Sequence, residues 1–252
     1  MPLLQVRYPS QALQKACSMH IILPEKESSN GLYPVCYLLG GLGDDDSIWE
    51  RRTRIEWYVR ELPLIVVMPH GDRGFYTDWV EGPAHERHII QDVIGFVERF
   101  LPVRKERQGR VIGGLSMGGY GALKLGLKYP QLFGSIAAHS SACHVGHAYP
   151  PQMPEERRNL LLPIFGPHPE GSDNDLFALA ERIDRSLLPA IRFDCGVDDG
   201  LLEGNRAFHR HLERLDIPHE YAEYPGAHTW DYWDVHVQEA IAFHWRTCGA
   251  GI

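Results

Sequence analysis

Positive charge is in short supply in this chain. Lys and Arg total 25 against 33 Asp and Glu, which leaves a net charge of −8. That balance excludes the basic footprint with which proteins grip phosphate backbones, so no nucleic-acid partner is expected. Long apolar runs are missing too. None approaches the ~20 residues that cross a bilayer, so no membrane partner is expected. Residues 1–7 show neither the basic region nor the apolar stretch of a secretion signal. Cysteine is sparse and odd in number: Cys17, Cys36, Cys143, Cys195 and Cys248 lack the paired spacing of a metal site or disulfide framework. Cys36 and Cys195 lie inside apolar runs and read as small core residues. Repeats and low-complexity tracts are also absent. These absences point to a reduced, cytoplasmic protein acting on a small molecule. What is present is ordinary: 252 residues, 44% apolar and 23% charged, enough to bury one core.

Apolar runs alternate with amphipathic helical patterns, the signature of parallel strands joined by helices and hence of an α/β fold. Residues 35–39 and 64–68 read as buried strands. Ile89, Ile90, Val93, Ile94, Val97 and Phe100 fall on one helical face. Strands are expected at 110–113, 133–138, 190–195 and 219–224, with helices over 204–215 and 233–245. Residues 144–186 break this rhythm with Pro150, Pro151, Pro154, Pro163, Pro167 and Pro169. Helical pieces are expected there at 154–161 and 174–183. The segment is too long for a plain connection. It reads as a cap over the strand C-terminal ends, where open α/β sheets carry their sites, within one domain spanning 1–252.

Gly114-Leu115-Ser116-Met117-Gly118 is the segment that carries chemistry. A G-x-S-x-G run between a β-branched strand and a small-residue helix start reads as a nucleophile elbow. The sharp turn strains the serine backbone and leaves no room for side chains beside it, so glycines must flank it. A serine hydroxyl needs a base to take its proton and an acid to orient that base. Elbow hydrolases place these in the order serine, acid, histidine. Here Asp198 and Asp199 follow one late strand and His228 follows the next. Spacing leaves the two aspartates even, while His228 stands out because His209, His211, His219, His236 and His244 sit within expected helices or a strand. The oxyanion that forms on the carbonyl requires amide donors. Met117, just after the serine, supplies one, and Leu42 in the Gly40-Gly41-Leu42-Gly43 loop the other. His85-Glu86-Arg87-His88 approximates a zinc helix motif but has one residue, not two, between Glu and the second His, and lacks a third ligand. His139, His144 and His147 cluster only loosely. No metal and no cofactor are expected.

With those residues assembled, the chain resembles the esterase family of α/β-hydrolases that holds esterase D, S-formylglutathione hydrolases, tributyrin esterases and feruloyl or acetyl esterases. The likeness runs through Val67-Met68-Pro69, Phe75 to Trp79, Gly114 to Leu123, Asp194 to Asp199 and Tyr224 to Trp233, in that order. It implies an α/β-hydrolase fold, Ser116 as nucleophile, His228 as base and Asp199 as the orienting acid, three residues after Gly196. Two departures stand out. Relatives often carry His-Gly where this chain has Gly40-Gly41, and an aspartate at His70, which would reshape the substrate pocket. Gly41, Tyr76, Trp79 and Trp230 are candidate pocket walls, with core packing the competing role for the aromatics. Hydrolysis of short-chain acyl esters is the leading expectation and thioester hydrolysis the second. Acyl transfer and a non-catalytic binding module rank lower. Homo-oligomers occur among the relatives.

Overall fold

Residues 35–39 show why the sheet is buried on both faces. Val35, Tyr37 and Leu39 pack into one apolar cluster while Cys36 and Leu38 pack into another. Ile65 and Val67 share the first cluster, Val66 and Met68 the second. Side chains alternate across a strand, so a continuous apolar run requires cover on both sides. The computed structural model, which describes residues 1–249, supplies that cover with helices. The expected domain range ended at 252, and its last three residues lie outside the described ones.

In chain order the elements are β1 (Leu3–Ser10), β2 (Lys15–Ile22), β3 (Val35–Leu39), α1 (Ile48–Arg52), α2 (Ile55–Val59) and β4 (Ile65–Pro69). A helical stretch follows, α3 (His85–Arg87) and α4 (Ile94–Phe100) joined by a π-type turn over His88–Val93. Then come β5 (Arg110–Leu115), α5 (Met117–Lys128), β6 (Ser135–His139), α6 (Glu155–Phe165) and α7 (Leu176–Arg182). The chain closes with β7 (Ala190–Gly196), α8 (Leu202–Arg214), β8 (Glu220–Tyr224) and α9 (Trp230–Cys248). The eight strands among the described residues pair in the order β1-β2-β4-β3-β5-β6-β7-β8, with β2 alone antiparallel to its neighbours. Ile94, Val97, Leu123, Phe208 and Leu212 cover one face from α4, α5 and α8. Trp49, Ile55, Val59, Val237 and Ile241 cover the other from α1, α2 and α9. Among the described residues, no helix is long and apolar enough to cross a membrane.

Two details differ from the sequence pattern. The β1–β2 hairpin carries no strong strand signal, because an edge strand with alternating exposure tolerates Arg7, Pro9 and Ser10. Phe100 ends α4 exposed, with its ring against Phe96 rather than in the core.

α5 also brings a lysine into the interior. Lys124 is fully buried, and its Nζ donates to Glu86 Oε2 at 2.6 Å, the Tyr76 carbonyl at 2.7 Å and Thr77 Oγ1 at 2.9 Å. Burial alone would raise the Glu86 carboxyl, but Lys124, Lys128 and Tyr129 outweigh it and hold the group down at about 2. Burial pulls Lys124 down to about 8, so both partners are charged at neutral pH. Removing Lys124 leaves the buried Glu86 carboxylate with the more exposed Lys128, 2.9 Å away, as its counter-charge. Lys124→Met is therefore expected to cost about 3–5 kcal/mol, roughly 10 °C in Tm. A variant melting within about 2 °C of the parent would show that Lys128 and Tyr129 suffice to hold Glu86.

Candidate active site

Ser116 sits between β5 and α5 with φ +53° and ψ −113°, a conformation that side-chain-bearing residues adopt only under constraint. Its amide donates to the His139 carbonyl at 2.9 Å, and its carbonyl accepts from Tyr120 and Ala142. The flanking glycines are sterically required. A Cβ on Gly118 would lie 2.4 Å from the Leu39 oxygen, and one on Gly114 would lie 2.7 Å from the same atom. The turn thus folds this way because the α5 start runs directly against the end of β3.

Two further loops close on this serine. His228 follows β8, and its Nε2 lies 3.0 Å from Ser116 Oγ. Its Nδ1 lies 2.9 Å from Asp199 Oδ2. The acidic partner fixes the tautomer, with Nδ1–H donating to Asp199 and Nε2 left to accept from the serine hydroxyl. Asp199 follows β7 and is buried, and its other oxygen accepts from the Leu201 amide at 2.8 Å. Burial would raise this carboxyl, but hydrogen bonds from His228, Leu201 and Ser140 prevail and hold it below the ordinary value. Asp198 points outward and is exposed, so the geometry separates two neighbours that spacing left equal. The β7 and β8 loops can approach because Gly196 meets Gly226, where a Cβ would lie 2.3 Å from the Gly226 oxygen. Trp233 places its ring edge-on to His228 at 4.8 Å and donates Nε1–H to Ser140 Oγ at 3.1 Å.

Ser116 and His228 open into a cleft of about 600 Å³ that Leu42 and Met117 also line. Neither the Leu42 nor the Met117 amide has an acceptor among the described residues. Pro154, Arg157, Leu160 and Leu161, from the start and middle of α6, wall the cleft on the side of the 144–186 segment. Phe75, whose role the sequence left open between packing and pocket, and Ala142, which no sequence signal marked, complete the apolar lining. Arg73 and Arg157 also face it, with no carboxylate in ion-pair range among the described residues. Glu156 and the buried Asp199 are the opposing charges on the wall.

The expected pocket walls need correction. Tyr76 is fully buried with its hydroxyl on the Gly40 carbonyl, so it cannot face substrate. Trp79 packs against His85, and Trp230 stands edge-on between Trp49 and Trp233. The ring bulk of each is taken up in packing. Gly41 lies beneath the cleft, where a Cβ would come within 2.9 Å of Asp44 and Leu115. His70 borders a separate depression with Arg7, Lys15, Cys17 and Asp72, so its departure from the family pattern does not reshape this cleft. The zinc-like segment is spent on packing. Glu86 holds Lys124, and His88 bonds Ser10 and Tyr8. His139 is buried on the Asp194 carboxylate, while His144 and His147 pack on Phe177.

The sheet order, with its single reversed strand and a serine on a strained turn after β5, defines a hydrolase of the α/β-hydrolase fold. The comparisons carry this further. The family described as "Putative esterase" matches residues 10–244, and the chain belongs to it. An acetyl esterase of Caldicellulosiruptor saccharolyticus is 31% identical across 98% of this chain and 98% of its own length. The substrate-bound fluorophosphonate-binding serine hydrolase F of Staphylococcus aureus superposes with a TM-score of 0.84 at 26% identity, over 96% of this chain and 98% of that one. An S-formylglutathione hydrolase of Staphylococcus aureus gives a TM-score of 0.83 at 26% identity, again over 96% and 98%.

Proposed function

We propose that this protein is a serine carboxylesterase that hydrolyses short-chain acyl esters of small molecules. The observation that carries the proposal is the continuous Ser116–His228–Asp199 line, with bonds of 3.0 and 2.9 Å, beside two amides without acceptors among the described residues. Ser116 Oγ attacks the ester carbonyl while His228 Nε2 takes its proton. Asp199 holds the imidazole and stabilises its charged form. The Leu42 and Met117 amides receive the negative charge that develops on the carbonyl oxygen. His228 then returns the proton to the leaving alcohol, and an acyl-Ser116 intermediate remains. Water, activated by His228, attacks that acyl group and releases the acid. The acetyl esterase relative supports the choice of a small acyl group.

Thioester hydrolysis of the S-formylglutathione type is the second reading. The specific observation in its favour is Arg73 and Arg157 facing the cleft without carboxylate partners among the described residues, as a leaving group bearing carboxylates would require.

One experiment separates these readings and tests their common basis. A fluorophosphonate probe is expected to label the folded protein at Ser116, and kcat/KM for p-nitrophenyl acetate is expected to exceed that for S-formylglutathione. The reverse ratio would favour the thioesterase. Absence of labelling would favour a non-catalytic role.

A further inference from the structure

The loop that carries Leu42 is held by hydrogen bonds on both sides of that residue. The Gly40 carbonyl accepts from Tyr76 OH at 2.9 Å. The Gly41 amide, on the other side of the same peptide, donates to Asp44 Oδ2 at 2.8 Å. The Gly43 amide donates to the Asp72 carbonyl at 3.1 Å and the Asp44 amide to the Gly41 carbonyl at 3.3 Å. From Gly41 to Asp44, only the Leu42 N–H is left without an acceptor among the described residues.

Tyr76 is itself braced. Phe75 and Tyr76 have φ of +49° and +51°, two consecutive side-chain-bearing residues in the left-handed region, which is costly unless the surroundings enforce it. The enforcing contacts are visible. Lys124 Nζ holds the Tyr76 carbonyl at 2.7 Å from inside the molecule. The Tyr76 side chain fills space that only glycine leaves open, since a Cβ on Gly71 would come within 2.2 Å of its hydroxyl and one on Gly121 within 2.4 Å of its ring. The tyrosine therefore projects its hydroxyl from a rigid base to a single backbone oxygen.

We infer that Tyr76 and Asp44 are positioning residues that lock the Gly40–Gly41 peptide so that the Leu42 amide faces the reacting carbonyl before substrate arrives. Neither side chain touches substrate. They act through the peptide they grip, one on its oxygen and one on its hydrogen. A peptide held at both ends cannot rotate, and it anchors the next peptide, Gly41–Leu42, whose N–H is the donor and whose oxygen accepts from the Asp44 amide at 3.3 Å. With Gly40-Gly41 at this point, the backbone has little stiffness of its own, so the two side chains supply what the residues lack.

This inference rests on Ser116 being the nucleophile, and the test keeps the two claims apart. Tyr76→Phe retains the ring and deletes only the hydroxyl. It is expected to lower kcat for p-nitrophenyl acetate by about 10- to 100-fold, short of the full loss of an oxyanion donor, with KM within about 2-fold. The Ki of a trifluoromethyl ketone, whose adduct carries an oxyanion on Ser116, is expected to rise in parallel. Asp44→Ala is expected to behave likewise, whereas Asp44→Asn, which keeps an acceptor oxygen, is expected to recover most of the activity. This pair also decides the matter if Tyr76→Phe proves unstable. Unchanged kcat and Ki in Tyr76→Phe and Asp44→Ala would overturn the inference, as would a rise in KM alone. If Ser116→Ala kept full activity, the parent reading would fail instead.

Discussion

Replacing Ser116 with alanine is expected to lower kcat for p-nitrophenyl acetate by about 10⁴- to 10⁶-fold while leaving Tm unchanged within a few degrees. The size follows from the loss of the one oxygen that bonds His228 Nε2 among the described residues, at 3.0 Å. On the proposed mechanism no acyl-enzyme forms without it, and the residual rate comes from substrate binding and the free amides alone. The fold should tolerate the change. Among the described residues Ser116 Oγ bonds nothing but His228, and the backbone bonds of residue 116 to His139, Tyr120 and Ala142 do not involve the side chain. Alanine carries a Cβ like serine, so the strain at φ +53° is not increased. Retention of more than about one per cent of parental activity in a folded sample would remove Ser116 from the mechanism.

Asp199→Asn is expected to cost about 10⁴-fold in kcat, and Asp198→Asn less than about 2-fold. Adjacent residues of the same type should thus differ by several orders of magnitude. Asp199 accepts from the Leu201 amide on one oxygen and from His228 Nδ1–H on the other. Asparagine can keep the bond to Leu201 with its carbonyl, which turns its NH₂ toward His228. The imidazole must then accept at Nδ1 and carry its proton on Nε2, the wrong form for taking a proton from Ser116. Asp198 is exposed and reaches none of these atoms. The comparison is made by steady-state kinetics on both variants. Equal losses at the two positions would sink the assignment of the acid.

The legibility of this molecule varied with the range of the interaction. The interior strands were plain because residues 35–39, 65–69 and 110–115 are buried on both faces, and such burial demands uninterrupted apolar runs. The edge hairpin was not, since β1 is half exposed and need satisfy only one side. The elbow was readable because sterics at a sharp turn act on immediate neighbours, so Gly114 and Gly118 must stand beside Ser116 in the chain. The pocket walls were misassigned for the opposite reason. Tyr76 and Trp79 are aromatic wherever they point, and nothing local states whether a ring faces a cleft or a core. Arg73, Phe75, Ala142 and Arg157 reach the cleft from separate loops and a helix, with no shared signature to announce them.

By itself the sequence determined the fold class, the reactive turn and the order in which an acid and a base follow it. Those properties depend on strand burial, helix periodicity and the steric demands of consecutive residues. Only the tertiary structure decided that Asp199 rather than Asp198 meets His228, and that Tyr76 grips a peptide instead of facing a ligand. It also decided that, from Gly41 to Asp44, the Leu42 amide alone lacks an acceptor among the described residues. Each of these turns on the direction of a single bond after distant segments have met, and side-chain direction is fixed by packing across the fold, not by neighbours along the chain.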